Sequence, residues 1–203
     1  MERTSRISTT YLAELSLLVA IVILMAFTPL GYFKTLGLDI TLLVIPVAIG
    51  AITLGPKAGA ILGATFGITS FVRAAYGMSA FLKILFDINP FGAFVTCVVA
   101  RTLVGWLTGL IFARLKNTRL NNKAVFVSSL CCPLLNTTLF MSSLVLFFYN
   151  TDKIQSLVAK FGSANPVAFI IAFVGTNGLL EVIICSIIGG IIAQRLNIAL
   201  KKK

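Results

Sequence analysis

The chain contains no histidine and few charged residues. Asp, Glu, Lys and Arg make up only 11% of its 203 residues, and 58% of the residues are apolar. Soluble domains carry about 25% charged residues, so this composition predicts a membrane protein. Without histidine, the commonest general base and the commonest metal ligand are both absent. The sequence therefore offers little for acid–base or metal-assisted catalysis.

Sequence motifs typical of enzymes are missing as well. The turn at 55–59 lacks the spacing and the hydroxyl residue of a phosphate-binding P-loop, which argues against ATP hydrolysis by this chain. There is no CxxC pair to suggest a zinc site. We expect the four cysteines to be buried free thiols; they are Cys97, Cys131, Cys132 and Cys185. The prediction is a protein that is not an enzyme and that has no catalytic residues, metal or cofactor.

The net charge of +11 raises nucleic acid as a partner. However, the basic residues flank apolar stretches instead of forming one dense stripe, and no nucleic-acid-binding motif accompanies them. Lipid head groups and membrane topology explain this distribution better. We therefore expect membrane lipid, and no nucleic acid, among the partners.

Six apolar stretches are long enough, or nearly so, to cross a bilayer as helices of about 20 residues. They run at about 11–31, 38–54, 57–74, 91–115, 124–149 and 166–196. The third is short, but Lys57 and Arg73 at its ends can reach the two interfaces. We predict an all-α membrane protein in which residues 1–203 form one domain, a bundle of six transmembrane helices.

The distribution of Lys and Arg predicts the orientation of this bundle. With the N-terminus inside, eleven Lys and Arg residues lie in cytoplasmic segments and five lie outside, at 34, 73, 83, 153 and 160. This excess predicts that both termini are cytoplasmic. Residues 76–90 are too interrupted to span, and we expect an interfacial or re-entrant loop there. That loop and residues 150–165 are the outer connections able to form a lid.

Small residues recur at every fourth position in two of the stretches. Gly59, Gly63 and Gly67 form a double GxxxG pattern in the third stretch, and Gly105 and Gly109 repeat the spacing in the fourth. Such ridges let two helices approach closely. We expect packing within the bundle, with an intermolecular interface as the alternative.

The first stretch carries its own small residues on one helical face. Ala13, Ser16 and Ala20 follow the spacing of positions that lie above one another on a helix. This face is either internal or a surface on which a partner slides. The residues alone leave both interpretations open.

Four polar residues lie near the middle of the last three stretches: Arg101, Asn136, Asn177 and Glu181. A charge at bilayer depth costs roughly 2.5–3.5 kcal/mol on insertion scales, so it normally faces a partner, a cavity or a ligand. Asn177 and Glu181 are one helical turn apart and share a face. We predict that the four residues line one polar cavity. The alternative is a structural Arg101–Glu181 ion pair, with both asparagines bound to backbone.

Such a cavity predicts the chemistry of its ligand. The guanidinium of Arg101 has a fixed fork of donors suited to a carboxylate or a phosphate. Asn136 and Asn177 would bind hydroxyls or amides, and Glu181 would accept a hydrogen bond or hold Arg101 in place. The predicted substrate is a small anionic molecule with several hydrogen-bonding groups.

Residues outside these four complete the predicted site. Tyr76 and Asn89 are candidates for closing its outer mouth, although ordinary turn chemistry is the alternative for Asn89. Aromatic residues available as walls are Phe94, Trp106, Phe140 and Phe173. Packing or contact with lipid is the alternative for these rings.

Three short segments, together with the six spans, resemble one family. They are Leu-Gly-Pro-Lys at 54–57, Ile-Asn-Pro-Phe at 88–91 and Asn-Gly-Leu-Leu-Glu at 177–181. In this order and spacing they resemble the substrate-binding S component of energy-coupling-factor (ECF) vitamin transporters. The loop from Ser70 to Pro90, which leads to Arg101, is most similar to the pantothenate-specific members.

The resemblance implies a subunit of the bacterial plasma membrane that captures a vitamin from outside. Such a subunit works with a transmembrane scaffold subunit and two cytoplasmic ATPases, and it docks on the scaffold through small residues of its first span. Ser16 and Ala20 match the typical Ala-xxx-Ala spacing, whereas Ala13 is followed by Leu17. Family pockets sit nearer the outer face than mid-depth, which implies a structural role for Glu181.

Pantothenate agrees with the residues themselves. It has one carboxylate for Arg101, and an amide and two hydroxyls for Asn136 and Asn177. Another vitamin is the alternative within the same class. Outside it, the alternatives are a stand-alone transporter with Glu181 as a proton relay and an intramembrane scaffold without a ligand.

Overall fold

The structure, a computed structural model, describes residues 9–33, 40–118, 123–160 and 165–201. Its helices are α1 (Thr9–Phe27), α2 (Val44–Thr53), α3 (Pro56–Ala75), α4 (Ala80–Ile88), α5 (Pro90–Phe94), α6 (Ala100–Leu115), α7 (Ala124–Phe148), α8 (Asp152–Lys160) and α9 (Pro166–Lys201). A π-helical segment, Val95–Val99, joins α5 to α6. After a 3-10 turn at Pro29–Gly31, strands β1 (Tyr32–Phe33) and β2 (Ile40–Thr41) pair antiparallel. The predicted all-α architecture is confirmed apart from this ladder of two residue pairs.

Four helical stretches among the described residues are long and apolar enough to cross a bilayer. They are Thr9–Phe27, Pro56–Ala75, Pro90–Leu115 and Ala124–Phe148, and they match the first, third, fourth and fifth predicted spans. In the second predicted span, 38–54, the helix is α2, which has only ten residues. Ten residues make about 15 Å of helix, whereas the hydrocarbon core of a bilayer is about 30 Å thick. The sixth lies within α9, which has 36 residues. The count of six spans and the cytoplasmic termini stay predictions.

Helix α2 lies at the centre of the bundle. Every residue from 44 to 52 is buried, and α1, α3, α6, α7 and α9 all pack around it. A helix that is apolar on all sides is stable only when it is enclosed in this way. Because α2 is short, the chain just before it, including β2, also lies inside the bundle.

The glycine ridge of α3 packs against the helix formed by α5, the π-helical segment and α6. Three glycines face three backbone carbonyls in antiparallel register: Gly59 opposite Gly105, Gly63 opposite Arg101, and Gly67 opposite Cys97. A Cβ at Gly67 would lie only 2.6 Å from the Cys97 carbonyl oxygen. The GxxxG pattern therefore serves packing within the chain, as predicted, and it brings the backbone of Arg101 against α3.

Residues 80–88, which belong to the predicted interfacial or re-entrant loop at 76–90, form helix α4. This helix is amphipathic. Leu82 and Leu85 are buried, while Lys83 and Asp87 form a 2.7 Å ion pair one turn apart on the exposed side. The stretch is too polar and too short to span a bilayer. Its helical spacing of apolar residues is nevertheless sufficient once there is a surface for it to cover.

Helices α4 and α8 cover the same end of the bundle. In α8, Ile154 and Val158 are one turn apart and both are buried. They belong to one apolar cluster with Leu82 and Leu85 of α4 and Phe148 at the end of α7. Two short amphipathic helices therefore close the end at which α3 and α7 finish and α5 begins.

Replacing Gly63 by Ala should lower the thermal unfolding midpoint in detergent, although alanine favours helix by about 0.5–1 kcal/mol relative to glycine. The added Cβ would collide with the Arg101 carbonyl, and overpacking of this kind costs about 1–3 kcal/mol. Gly189→Ala in α9 is the matched control, because the nearest atom outside its own helix, a methyl of Ile45, is 4.0 Å from that Cβ. Equal midpoints for the two variants would contradict the close packing of α3 on α6.

Candidate functional site

A cavity lies between the β1–β2 ladder and helices α4, α6, α7 and α9. Its polar lining is Tyr32, Thr41, Ser79, Arg101, Asn136, Thr137 and Glu181, and its apolar lining is Phe81, Leu82, Phe140, Met141, Val174 and Gly178. The centre of a water molecule can occupy about 80 Å³ of this cavity, whereas one water needs about 10–15 Å³ of such space. The cavity therefore has room for several waters, which the polar groups of a small molecule can replace.

Arg101 is held inside the bundle by its own helix and by two aromatic rings. Its side chain is 6% exposed, and its guanidinium carbon lies 4.5 Å from the Phe66 ring centroid and 5.4 Å from that of Phe140. Nη1 donates to the backbone carbonyls of Thr96 and Cys97, both at 3.2 Å. These contacts satisfy a cation through π faces and carbonyl dipoles rather than through an opposite charge.

The π-helical segment, Val95–Val99, ends two residues before Arg101. In it, the Ala100 N–H donates to the Val95 carbonyl five residues back, instead of four as in an α-helix. The two carbonyls that accept from Arg101 belong to this segment. Such π turns are frequent at functional sites. Here the turn places backbone acceptors where the guanidinium can reach back to them.

The guanidinium of Arg101 has N–H groups that are not used in hydrogen bonds to the described residues. Its Nε is buried without a hydrogen-bond partner, and across the described part of the chain Nη2 has none either. No carboxylate of the described residues is within ion-pair distance of it. The predicted alternative, a structural Arg101–Glu181 ion pair, is therefore not what holds this side chain.

Asn136 and Glu181 form the second polar contact of the cavity. The Asn136 Nδ2 donates to Glu181 Oε1 at 3.2 Å, and the two residues are 7% and 8% exposed. Asn136 Oδ1 is buried and has no partner. This bond joins α7 to α9 and leaves an amide oxygen of Asn136 able to accept from a ligand.

The β1–β2 ladder adds two lining residues that the sequence does not predict. Tyr32 and Thr41 are paired across the ladder and both line the cavity. Thr41 Oγ1 is buried and has no hydrogen-bond partner. No periodic pattern marks these residues, because Tyr32 lies just after the first apolar stretch and Thr41 lies near the start of the second, in strands of two residues each. Their position depends on α2 beginning well inside the bundle.

The structure brings three of the predicted substrate-binding residues together. Arg101, Asn136 and Glu181 come from three different helices and line one cavity. The backbone of Asn177 belongs to α9, but its side chain lies outside the described part of the structure. Its neighbour Gly178 lines the cavity.

Two other predicted residues do not line this cavity. Asn89 caps the start of α5, where its Oδ1 accepts from the Gly92 N–H at 3.0 Å. Tyr76 lies in the turn after α3 and is 81% exposed. Tyr76 precedes α4 and Asn89 follows it, and α4 carries the lining residues Phe81 and Leu82. A role for Asn89 and Tyr76 at the mouth of the cavity stays a prediction.

Of the aromatic residues predicted as walls, Phe140 lines the cavity. Phe94 and Trp106 are partly exposed and do not, and the side chain of Phe173 lies outside the described part of the structure. Phe94 packs edge-on against Phe71 instead.

Helix α1 exposes most of its surface. Only Val22 and Ala26 of this helix are buried. Ala13, Ser16 and Ala20 are all exposed, so no other described helix covers them. An apolar helix of a bundle that is open on this side faces either lipid or another membrane subunit.

The chain is similar to a known protein family and to two named proteins. Residues 10–193 match the family described as "ECF transporter, substrate-specific component". The chain is 35% identical over 158 residues to the pantothenic acid transporter PanT of Lactococcus lactis subsp. cremoris, covering 73% of this chain and 72% of that protein. It is 28% identical over 183 residues to the pantothenate transporter PanT of Leuconostoc mesenteroides subsp. mesenteroides, covering 86% of each.

Asn136→Leu should destabilise the protein by about 1–3 kcal/mol, because the Glu181 carboxylate loses the hydrogen bond donated by Asn136 Nδ2. Glu181→Gln should cost less, since its amide oxygen still accepts from Asn136 Nδ2. Thermal unfolding in detergent measures both effects. Thr138→Leu, at an exposed position of the same helix, is the control and should leave the midpoint unchanged. A lower midpoint for Glu181→Gln than for Asn136→Leu would contradict this account.

Proposed function

Because the chain belongs to the family of ECF transporter substrate-specific components, we propose that it captures pantothenate outside the cell for uptake powered by a separate module. Both relatives described above are named as pantothenate transporters. The observation that carries the proposal is Arg101, a buried cation with unused donors and no counter-ion among the described residues, on the wall of a cavity. A bound carboxylate is the counter-ion that this site lacks.

The carboxylate of pantothenate binds the Arg101 guanidinium in this proposal. Burying a charge costs several kcal/mol unless it is paired and hydrogen-bonded. The chain itself offsets part of this cost through the Thr96 and Cys97 carbonyls and two aromatic rings. A carboxylate that accepts from Nε and Nη2 supplies the missing charge-assisted bonds, and it does so only when the substrate is present.

The remaining groups of pantothenate bind the unsatisfied polar atoms of the wall. Asn136 Oδ1 and Thr41 Oγ1 are buried without partners, at a cost of about 1–3 kcal/mol each. The two hydroxyls and the amide N–H of pantothenate are donors that match these acceptors. Asn177 is proposed to add a further hydrogen bond. The dimethyl carbon of the substrate fits the apolar wall formed by Leu82, Met141 and Val174.

Glu181 acts mainly by orienting Asn136. The carboxylate accepts from Asn136 Nδ2, which fixes the amide so that Oδ1 is available to the substrate. A direct contact between Glu181 and an anionic substrate would bring two carboxylates together, which is unfavourable. Any contact of Glu181 with the substrate is therefore with a hydroxyl of pantothenate and not with its carboxylate.

Helix α4 is the proposed lid of the cavity. It contributes Phe81 and Leu82 to the wall, and it is short, amphipathic and held mainly by apolar contacts. Tyr76 and Asn89 flank it. In the proposal they control the two ends of the lid rather than contact the substrate, with Asn89 holding the far end through its cap on α5.

Energy for uptake comes from a separate scaffold subunit and two ATPases, because the chain has no nucleotide-binding motif of its own. The exposed face of α1 that contains Ala13, Ser16 and Ala20 is the proposed docking surface. Small residues on this face allow a scaffold helix to approach closely. The face points away from the core of the bundle, so docking leaves the cavity wall intact.

Arg101→Ala should weaken pantothenate binding at least 100-fold, because two charge-assisted hydrogen bonds are worth about 1.5–3 kcal/mol each. Calorimetry on detergent-purified protein measures the Kd. Arg114→Ala, an exposed arginine on the same helix, is the matched control and should bind as the wild type does. Panthenol, in which an alcohol replaces the carboxylate, should bind the wild type and Arg101→Ala equally weakly. Unchanged pantothenate affinity in Arg101→Ala would overturn the carboxylate clamp.

Ala20→Trp should abolish co-purification with the scaffold and ATPase subunits, and with it ATP-dependent uptake, while the Kd for pantothenate stays within about twofold. The indole keeps α1 from approaching a scaffold helix without touching the cavity. Leu146→Trp is the control, since Leu146 is exposed on α7 and lies outside the proposed surface. Normal assembly of Ala20→Trp would show that α1 is not the docking helix.

Uptake by the lone wild-type chain, driven by a pH gradient in liposomes, would favour a stand-alone transporter instead.

A further inference from the structure

Arg73 is a second buried arginine, and it does not line the cavity. It lies in the last turn of α3 and is 7% exposed. Among the described residues, no carboxylate is within ion-pair distance of its guanidinium. Its Nε is buried without a partner. A buried cation with this little compensation is costly, so the two polar contacts that its side chain makes with other described residues indicate what it stabilises.

The first contact is with the end of α1. Nη1 of Arg73 donates to the Ala26 carbonyl at 2.6 Å. The last carbonyls of a helix have no partners within it and carry a partial negative charge, so a cation is favourable there. This bond ties the end of α1 to the end of α3. A lysine or a neutral donor would serve that purpose as well, so the bond alone does not explain an arginine.

The second contact is with Tyr32 of strand β1. The guanidinium carbon of Arg73 lies 4.1 Å from the centroid of the Tyr32 ring, which is cation–π geometry. Ser70, three residues earlier on the same face of α3, holds the other end of this ring. Its Oγ lies 3.0 Å from the Tyr32 hydroxyl oxygen, at hydrogen-bond distance. One face of α3 thus holds both the ring and the hydroxyl of Tyr32.

The β1–β2 ladder needs this support. It consists of two residue pairs, Tyr32 with Thr41 and Phe33 with Ile40, and an isolated two-stranded ladder is marginal even when it is longer. Yet it carries two residues of the cavity wall, Tyr32 and Thr41. Because the two are paired, a displacement of Tyr32 also displaces Thr41. The shape of this wall therefore depends on the contacts made by α3.

We infer that Arg73 and Ser70 are positioning residues for the substrate: they clamp Tyr32 against α3 and thereby hold the strand wall of the cavity in its binding geometry. This inference rests on the proposed capture of pantothenate. It assigns to Arg73 an effect on affinity that is exerted through Tyr32 and not through contact with the ligand. It also explains why a buried guanidinium without an ion-pair partner among the described residues is kept beside an aromatic ring.

A double-mutant cycle tests the inference. The Kd for pantothenate is measured by calorimetry on wild type, Arg73→Gln, Tyr32→Leu and the double variant, all purified in detergent. We expect Arg73→Gln to weaken binding at least tenfold and Tyr32→Leu at least as much. In the Tyr32→Leu background, Arg73→Gln should change the Kd by less than twofold, because the ring through which it acts is gone. Arg114→Gln, at an exposed position, is the charge-matched control.

Other results would overturn the inference. If Arg73 only pins α1, Arg73→Gln lowers the thermal midpoint but leaves the Kd of the folded protein unchanged, or its effect adds fully to that of Tyr32→Leu. If Arg73→Gln fails to fold, Ser70→Ala is the second variant, because it removes the hydroxyl that bonds to Tyr32. It should weaken pantothenate binding about threefold or more. An unchanged Kd for Ser70→Ala would count against the clamp. Absence of pantothenate binding by the wild type overturns the proposed function together with this inference. Wild-type binding with an unaffected Arg73→Gln overturns the inference alone.

Discussion

A buried guanidinium that has no carboxylate partner within the described ranges of the chain is the feature on which the rest of this structure depends. Arg101 is held by two backbone carbonyls, which its preceding π turn makes available, and by the faces of two aromatic rings. These contacts keep the cation in the bundle without neutralising it. The cavity wall therefore keeps a positive charge and unused donors, which suits the anionic substrate proposed to bind there.

Close packing and a short central helix create the space beside that cation. The glycine ridge brings α3 so near to α6 that the Arg101 carbonyl lies against Gly63, which fixes the backbone from which the guanidinium extends. Helix α2 is half the length of a bilayer-spanning helix, and the chain that precedes it enters the bundle as the β1–β2 ladder. The cavity lies where α2 does not reach, and Thr41 and Tyr32 line it.

Much of this site could be predicted from the sequence. Arg101, Asn136 and Glu181 stand out because each interrupts an apolar stretch at a similar depth, and depth along a helix follows directly from residue number. Residues 80–88 could not be recognised as a helix from their composition, because α4 forms only where it has an apolar surface to cover. The positions of Tyr32 and Thr41 in the cavity wall could not be predicted either, since strands of two residues have no periodic sequence pattern.

The amino-acid sequence by itself determined that the chain is an apolar helical membrane protein, that α3 carries a smooth ridge, and where along each helix the polar groups sit. These properties depend on local spacing and on transfer of side chains out of water. Only the tertiary structure decided that Glu181 bonds to Asn136 and not to Arg101, and that Arg73 reaches Tyr32. Those choices depend on the rotation and separation of neighbouring helices, which many packing contacts set together and no single segment encodes.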